Sequence, residues 1–344
     1  MKNDKGPIRL VAILCLMIAA MLALGALLPT QALAQDPART YWKYLSGGDA
    51  LPLLYESISG NANPFDPTHR VSASSTFDGT LEIAAYAHTF ALLDRAAVAT
   101  VMLPMGRLAS TVTVPLPGAG GGVTSVRETA NGFSDPTLEL NVNLIGPPAQ
   151  RTIPDMIRYE PGFSVDVVLD LAVPIGEYDN SKTLNIGQNR WYGRVGFPVV
   201  WQLGPWIPGK RTTLEFVPAV WLFGANDDFN NGVTSGNTLK TEPMYQLDSH
   251  LTRDLYERAW VSLDASAATG GVSSINGVDM PKTRTQTLGL TMGYQVNDNM
   301  NLSFTYKSTI NDSEPTAMRM DMFMITLIAG WHPILEGANR LQNK

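Results

Sequence analysis

The run Phe163-Ser164-Val165-Asp166-Val167-Val168-Leu169-Asp170-Leu171-Ala172-Val173 changes character at almost every step. Successive side chains of an extended chain point to opposite faces. Phe163, Val165, Val167, Leu169, Leu171 and Val173 therefore share one face, and Ser164, Asp166, Asp170 and Ala172 share the other. A strand with one apolar face and one carboxylate-bearing face separates two different environments. The neighbouring segments repeat the pattern. Leu138, Leu140, Val142 and Leu144 oppose Thr137, Glu139, Asn141 and Asn143, and Trp191, Val195, Phe197, Val199 and Trp201 oppose Tyr192, Arg194 and Gln202. Leu214, Phe216, Pro218, Val220 and Leu222 oppose Thr213 and Glu215, while Val261, Leu263, Ala265 and Ala267 oppose Ser262, Asp264 and Ser266. Leu288, Leu290, Met292 and Tyr294 oppose Thr287, Thr291 and Gln295, and Leu302, Phe304 and Tyr306 oppose Asn301, Ser303 and Lys307.

A soluble β-sandwich also buries one face of each strand, so length decides between the two architectures. Sandwich strands run about 5–6 residues, whereas tilted membrane strands need roughly 9–11 to cross hydrocarbon. The alternating segments here are of the longer kind. Counting back from Trp331 predicts strands over 319–331, 300–309, 284–296, 258–268, 242–254, 211–223, 190–203, 162–173, 133–145, 95–105 and 79–91, with Ala50 to Gly60 completing an even set of about twelve. The expected fold is all-β, a transmembrane antiparallel up-and-down barrel over 50–331. Short connections at Leu92–Arg95, Gly204–Lys210, Asp254–Arg258 and Asn297–Asn299 alternate with long polar ones at 174–189, 224–241, 269–283 and 311–318. The short ones are assigned to the periplasm and the long ones to the exterior. Gly146 to Pro161 reads as a periplasmic excursion, and Pro104 to Gly132, containing Gly118, Gly120, Gly121 and Gly122, as either a long flexible exterior loop or an inward-folded plug. Trp191, Trp201, Trp206, Trp221, Phe223, Trp260 and Trp331 fall near strand ends, where a membrane interface favours amphipathic rings.

The ends of the chain agree with export. Lys2, Lys5 and Arg9 precede an apolar run from Leu10 to Leu28, and Ala32-Leu33-Ala34 offers a cleavage site, so residues 1–34 read as a signal peptide. The alternative, an uncleaved inner-membrane anchor, is disfavoured by Pro29 ahead of that site. The one cysteine, Cys15, lies inside this run after Leu14, where lipoprotein processing needs a small side chain. The mature chain then has no cysteine, which excludes disulfides and thiolate metal sites. Residues 35–49 are expected to form a periplasmic N-terminal segment, and 332–344 a C-terminal extension. The net charge of −6 with no basic cluster argues against nucleic acid as a partner. Mean hydropathy of −0.01 is what a barrel gives when apolar and polar faces cancel.

Several ordered motifs also resemble a bacterial outer-membrane family, the transporter-like "putative MetA-pathway of phenol degradation" proteins. They are Gly132-Phe133-Ser134-Asp135-Pro136 with Asn143-Leu144-Ile145-Gly146; Pro174-Ile175-Gly176-Glu177-Tyr178-Asp179; Gly187-Gln188-Asn189-Arg190-Trp191; Trp221-Leu222-Phe223 with Asn226-Asp227-Asp228-Phe229; Pro243-Met244-Tyr245-Gln246-Leu247 with His250; Trp260-Val261-Ser262-Leu263-Asp264; and Gly270-Gly271 with Asn276-Gly277. The resemblance implies an outer-membrane barrel that passes small hydrophobic or aromatic molecules, and it carries no catalytic residues. The chain departs from the family in continuing past Trp331 to Lys344.

The expected lumen set is Glu139, Asp166, Asp170, Arg190, Arg194, Glu215, Asp248, Asp264 and Arg284. These charges either line a permeation path and set its selectivity, or pair across strands, Arg194 with Asp170 or Glu215, and fill a narrow lumen. Glu177-Tyr178-Asp179 with Arg190-Trp191 suggests an Arg–carboxylate brace for one exterior loop. Asn226, Asp227, Asp228 and Asn230 have the oxygen count of a calcium site but not its spacing, so turn chemistry is the preferred reading, with no metal or cofactor. Ser249 and His250 are adjacent on a strand and must face opposite ways, so they cannot form a nucleophile–base pair. The expectation is a non-enzymatic, monomeric channel in the outer membrane, inserted by the barrel assembly machinery and surrounded by lipid. A structural or adhesive surface barrel with a closed lumen is the alternative, and a soluble exported β-protein the third.

Overall fold

The computed structural model describes residues 36–68, 75–115, 123–280, 282–310 and 318–342. The expected signal peptide and residues 116–122 lie outside them; the rest of the expected Pro104–Gly132 loop is mostly strand, because Arg95–Pro115 and Val123–Phe133 pair with each other well beyond Pro104. The wall consists of β1 (Asp49–Gly60), β2 (Ser75–Leu92), β3 (Arg95–Pro115), β4 (Val123–Phe133), β5 (Thr137–Ile145), β6 (Phe163–Ala172), β7 (Tyr192–Gly196), β8 (Val199–Gln202), β9 (Thr212–Phe223), β12 (Met244–Tyr256), β13 (Ala259–Gly270), β16 (Thr283–Asn297), β17 (Met300–Thr309) and β18 (Met320–Trp331). All pairings between neighbours are antiparallel. β7 and β8 are one wall strand broken at Phe197-Pro198, where proline has no N–H for the ladder. β4 continues into β5 across Ser134-Asp135-Pro136, both pairing with β3. The 14 strands of the sheet thus occupy twelve positions. β1 pairs with β18 and β9 with β12, so the sheet closes on itself, while β4 pairs with β3 alone among the described residues. Four short strands, β10 (Asn226–Phe229), β11 (Asn237–Thr241), β14 (Ser273–Ile275) and β15 (Val278–Asp279), form a separate sheet at the long-loop end. Among the described residues no helix is long and apolar enough to cross a membrane.

Alternation places side chains as expected. Leu138, Leu140, Leu169, Leu171, Leu288, Leu290 and Met292 are exposed outward, whereas Asn141, Asn143, Ser164, Asp166, Thr287 and Thr291 are buried inward. An outside that is apolar and an inside that is polar reverse the order of a soluble protein. This chain is therefore a bacterial outer-membrane barrel. The short-turn end includes the two-residue hairpin Leu93-Asp94, both residues with positive φ (48° and 67°), a turn whose twist matches the flanking strands. The excursion at this end carries α1 (Ile153–Arg158), started by a capping box between Thr152 and Asp155.

Two sequence expectations need correction. The tryptophans are not one interfacial girdle: Trp191 and Trp201 are exposed outward, but Trp221 donates its Nε1–H to Gln246 Oε1 (2.6 Å), Trp260 is buried inside, and Trp206 packs on Trp42 at 4.6 Å between centroids. Buried indoles need a partner for the N–H or a cation for the face, and those partners are inside. The outward aromatic positions are instead Tyr55, Tyr86, Phe133, Phe163, Phe197, Tyr245, Tyr294, Tyr306 and Phe323, with Trp191 and Trp201. The second correction concerns the N-terminal segment, which lies inside the short-turn mouth and is described below.

Trp260 stands directly opposite Gly293, where an added Cβ would lie 2.0 Å from the indole Cε2. A Gly293→Val chain must displace the ring, a form of overpacking that costs typically 1–3 kcal/mol, about as much as a good cation–π contact contributes. The expected result is a lower urea midpoint in detergent and a smaller heat-modifiable fraction. An unchanged midpoint would mean that the ring has room.

Candidate lumen and plug

Residues 36–48 precede β1 and enter the barrel from the short-turn mouth. Arg39 pairs with Asp254 of β12 (2.8 Å), donates its backbone N–H to Glu215 of β9 (3.2 Å) and its Nε–H to Thr252 (3.3 Å). Trp42 donates its Nε1–H to Glu215 Oε1 (2.9 Å), Lys43 pairs with Asp166 of β6, and Asp36 pairs with Arg194 of β7 (2.9 Å) while accepting from Tyr41 Oη (2.7 Å). Tyr41 and Trp42 pack on Val168, Val200 and Val217, the apolar inward positions of β6, β8 and β9. Arg39 lies between the faces of Trp42 (4.2 Å) and Trp260 (4.4 Å), and Arg211 covers Trp42 and Trp206. Burial pulls the Arg39 guanidinium down to about 10 despite Asp254, so it stays charged at neutral pH. Burial pushes Asp36 up, but Arg194 and the Tyr41 hydroxyl outweigh it and hold the carboxyl below its ordinary range. The segment is a seated plug, because its charges meet complementary partners only inside the wall.

The wall charges form cross-strand rows. Glu139, Asp170 and Arg194 are register partners on β5, β6 and β7, and Arg194 Nε donates to Asp170 at 2.5 Å. Thr100 donates to Glu139 at 3.4 Å. A second row runs Glu215, His250, Asp264, Gly289, Lys307 across β9, β12, β13, β16 and β17. His250 Nδ1 lies 2.8 Å from Asp264, which also accepts from Ser262 and Thr291 at 2.5 Å. Asp248 accepts from Gln246 and Ser266, both 2.6 Å, and Asp166 from Asn143 (2.9 Å). Asp166, Arg194, Glu215, Asp248, His250, Asp264 and Lys307 are all nearly inaccessible. Cross-strand contacts are made by Arg194 with Asp170 and by His250 with Asp264. The expected Arg194–Asp170 pair forms; the Arg194–Glu215 alternative does not, since Glu215 holds the plug.

Arg190 and Arg284 are not in this lumen set. Arg190 precedes β7 at the long-loop end and meets Asp66 (3.5 Å), Thr241 Oγ1 (2.8 Å) and the face of Phe223 (5.1 Å). It braces with Asp66 rather than with Glu177 or Asp179, because the 61–68 segment turns in beneath it. Arg284 shares the outward face with Leu288, Leu290 and Met292 at the end of β16, one residue out of phase with buried Thr285 and Thr287. The sequence had missed the plug residues Asp36, Arg39, Tyr41, Trp42 and Lys43, together with Asp254, Arg211 and Lys307. The density of charged and aromatic side chains immediately before the first strand was the one available signal.

The long-loop mouth is apolar within. Phe65 from the 61–68 segment and Leu184 and Ile186 from the 173–191 loop pack on Leu81 of β2 and Leu108 of β3. Polar ties hold these segments: Gln188 Nε2 donates to Phe65 O (2.8 Å), Ser134 Oγ to Ile186 O (3.1 Å), and the amides of Gly176 and Gln188 to the Asp135 carboxylate (2.9 and 2.8 Å). The candidate calcium oxygens serve the same purpose. Asn226 Nδ2 donates to Tyr178 Oη and Gln188 O, both at 3.1 Å, and Asn180 Nδ2 donates to Asp228 (2.7 Å), tying two long loops together. Ser249 Oγ donates to Ala265 O on the face opposite His250, so the two are not assembled into a nucleophile–base pair.

A family model described as "Putative MetA-pathway of phenol degradation" matches residues 60–327. Among solved structures, an outer membrane channel of Pseudomonas putida F1 is similar with a TM-score of 0.65 at 17% identity, covering 86% of this chain and 100% of that one, which supports the fold. The β domain of the Bordetella autotransporter Brka (TM-score 0.45, 10% identity, 83% and 100% covered) and the transport unit of the Escherichia coli autotransporter AIDA-I (0.48, 7%, 90% and 97%) are more distant and carry no argument. No curated protein matches.

Proposed function

Because the chain belongs to the family described as "Putative MetA-pathway of phenol degradation", and residues 36–43 are seated inside its barrel, we propose that it admits small hydrophobic or aromatic molecules across the outer membrane. The observation that carries this reading is the contrast between the two mouths. The short-turn mouth is closed by ion pairs around Arg39, Lys43 and Asp36. At the long-loop mouth Phe65, Leu184 and Ile186 pack over Leu81 and Leu108 as a buried apolar cluster, a barrier that a solute leaving water readily passes at lower cost than a hydrated ion. The family's description and the fold shared with an outer membrane channel support the same reading. The barrel works as a monomer in lipid, since its closed wall needs no partner strand.

The test is uptake. Cells lacking the gene should accumulate a labelled aromatic acid or hydrocarbon more slowly and grow more slowly on it, with restoration by the intact gene. A chain carrying Leu184→Asp and Ile186→Asp should restore less, because burying a carboxylate in that cluster costs several kcal/mol. Equal uptake in deleted and intact cells would remove the transport reading. It would leave the closed-lumen surface barrel, which the buried, paired wall charges also favour.

A further inference from the structure

The plug does not fill the barrel evenly. Its ion pairs and rings lie against β6, β7, β8, β9 and β12, and the inward side chains there, Asp166, Val168, Arg194, Val200, Glu215 and Val217, are all buried. β1 and β18 stand directly across the ring of strands from β7 and β9. Their register is unbroken, and Tyr55 and Phe323 are exposed outward, so the even-numbered positions 52 to 58 and 320 to 328 face the lumen. Several of these are uncovered. Pro52, Leu54, Met320 and Met322 are only part-buried, and Ile328 is 37% exposed. The side of the lumen that the plug covers is charged, and the side it leaves open is mainly apolar.

Methionine dominates this open side. Met320, Met322 and Met324 alternate along the inner face of β18, and Met318, just ahead of the strand, packs with Ala62 and Met320. Alternate residues of a strand start about 7 Å apart, so the thioethers form a line and do not converge on one point. Toward the long-loop mouth the line meets the apolar cluster already described, since Leu54 and Glu56 of β1 are register partners of Ile83 and Leu81 of β2. Toward the short-turn mouth it ends at Ile328 beside Pro52. Thioether side chains are flexible and polarisable, adapt to irregular shapes and make favourable contacts with aromatic ring edges. Glu56 and Lys307, register partners of Met324 and Met322, bring opposite charges to one level of the line, which therefore attracts neither anions nor cations by net charge. We infer that the inner face of β18 and β1 is an apolar track that takes neutral aromatic solutes beside the seated plug. This rests on the transport reading above, and adds to it a route and a preference for polarisable rings over saturated ones.

The chain's one cysteine, Cys15, lies in the expected signal peptide, so single-cysteine variants of the mature chain each report one position. Full-length mature protein carrying Met320→Cys, Met322→Cys or Val168→Cys would be refolded into phosphatidylethanolamine–phosphatidylglycerol vesicles and reacted with N-phenylmaleimide, with naphthalene as competitor. Positions 320 and 322 should react about tenfold faster than 168, because a covered thiol reacts only through local opening, and naphthalene should slow them. Met322→Leu with Met324→Leu, added to Met320→Cys, keeps the side-chain volume. That chain should lose roughly threefold of the protection by naphthalene, with no loss of protection by decalin, its saturated counterpart. Equal rates at 168 and 322, or no protection by naphthalene, would overturn the track. Equal loss of protection by both competitors would overturn the part given to the thioethers. Heat-modifiable mobility of each variant confirms that the barrel has folded. Protection reports occupancy of the lumen and not passage, so naphthalene protection alongside undiminished uptake in cells lacking the gene would remove the transport reading and leave the binding track standing.

Discussion

A chain lacking residues 36–45 should fold into the same barrel and conduct ions in a planar bilayer where the intact chain is nearly silent. Folding is expected to survive because almost every wall group that holds the plug has a second partner in the wall. Asp254 keeps Arg211 (2.8 Å), Arg194 keeps Asp170 (2.5 Å), Asp166 keeps Asn143 (2.9 Å) and Glu215 keeps Thr213 (3.0 Å). Removing the plug takes away Tyr41, Trp42 and Arg39, the bulky groups packed between β6, β9 and β13. Water then reaches Glu215, Asp166, Asp254 and Asp264 at low cost, since charges in a wet lumen are solvated. The exposed set is mainly acidic, so the open barrel should prefer cations, read as a reversal potential shifted toward the cation value in a salt gradient. A deletion chain that folds but stays silent would show that the wall side chains alone close the lumen, and the plug would lose its gating role.

The barrel was legible from the sequence for a physical reason: hydrocarbon outside and polar contents inside impose a two-residue period that no turn or loop disturbs over ten residues. Strand count and most strand limits followed from it. The site was only partly legible. Asp166, Asp170, Arg194, Glu215, Asp248 and Asp264 have a fixed parity on their strands, so their inward direction could be read. Arg284 failed because its charge was given more weight than its parity, which it shares with the outward Leu288, Leu290 and Met292. Arg190 failed because it precedes its strand and is placed by the fold of two loops. The plug was invisible to periodicity altogether, as an irregular segment that gains its conformation only from contacts more than a hundred residues away, Arg39 to Asp254 among them. Trp221 and Trp260 show the same limit: position near a strand end does not tell whether a ring faces lipid or lumen.

Asp254 is the residue on which plug and mouth both depend, and Asp254→Ala is expected to be the most damaging single substitution. Its carboxylate is fully buried, is ion-paired with Arg39 Nη2 and accepts from Arg211 Nε and from the backbone amides of Gly209 and Arg211. Without it, two guanidiniums remain close together on the faces of Trp42, with no anion between them. Removing one member of a buried pair costs about 3–5 kcal/mol, because the remaining charge is left desolvated and unpaired. At about 1.4 kcal/mol per tenfold, that shifts the balance from seated to released plug by a factor on the order of a hundred or more. The variant should therefore show a lowered urea midpoint together with frequent openings. Arg39→Met is the informative contrast. It leaves Asp254 paired with Arg211 and keeps an apolar stem between Trp42 and Trp260, so it should open less often than Asp254→Ala despite removing the same ion pair. Combining the two should recover part of the stability lost by Asp254→Ala, since one of the two stranded guanidiniums is gone. If Arg39→Met proved as damaging as Asp254→Ala, the cost would lie in the ion pair itself, not in the stranded positive charge, and the role given to Arg211 would be wrong.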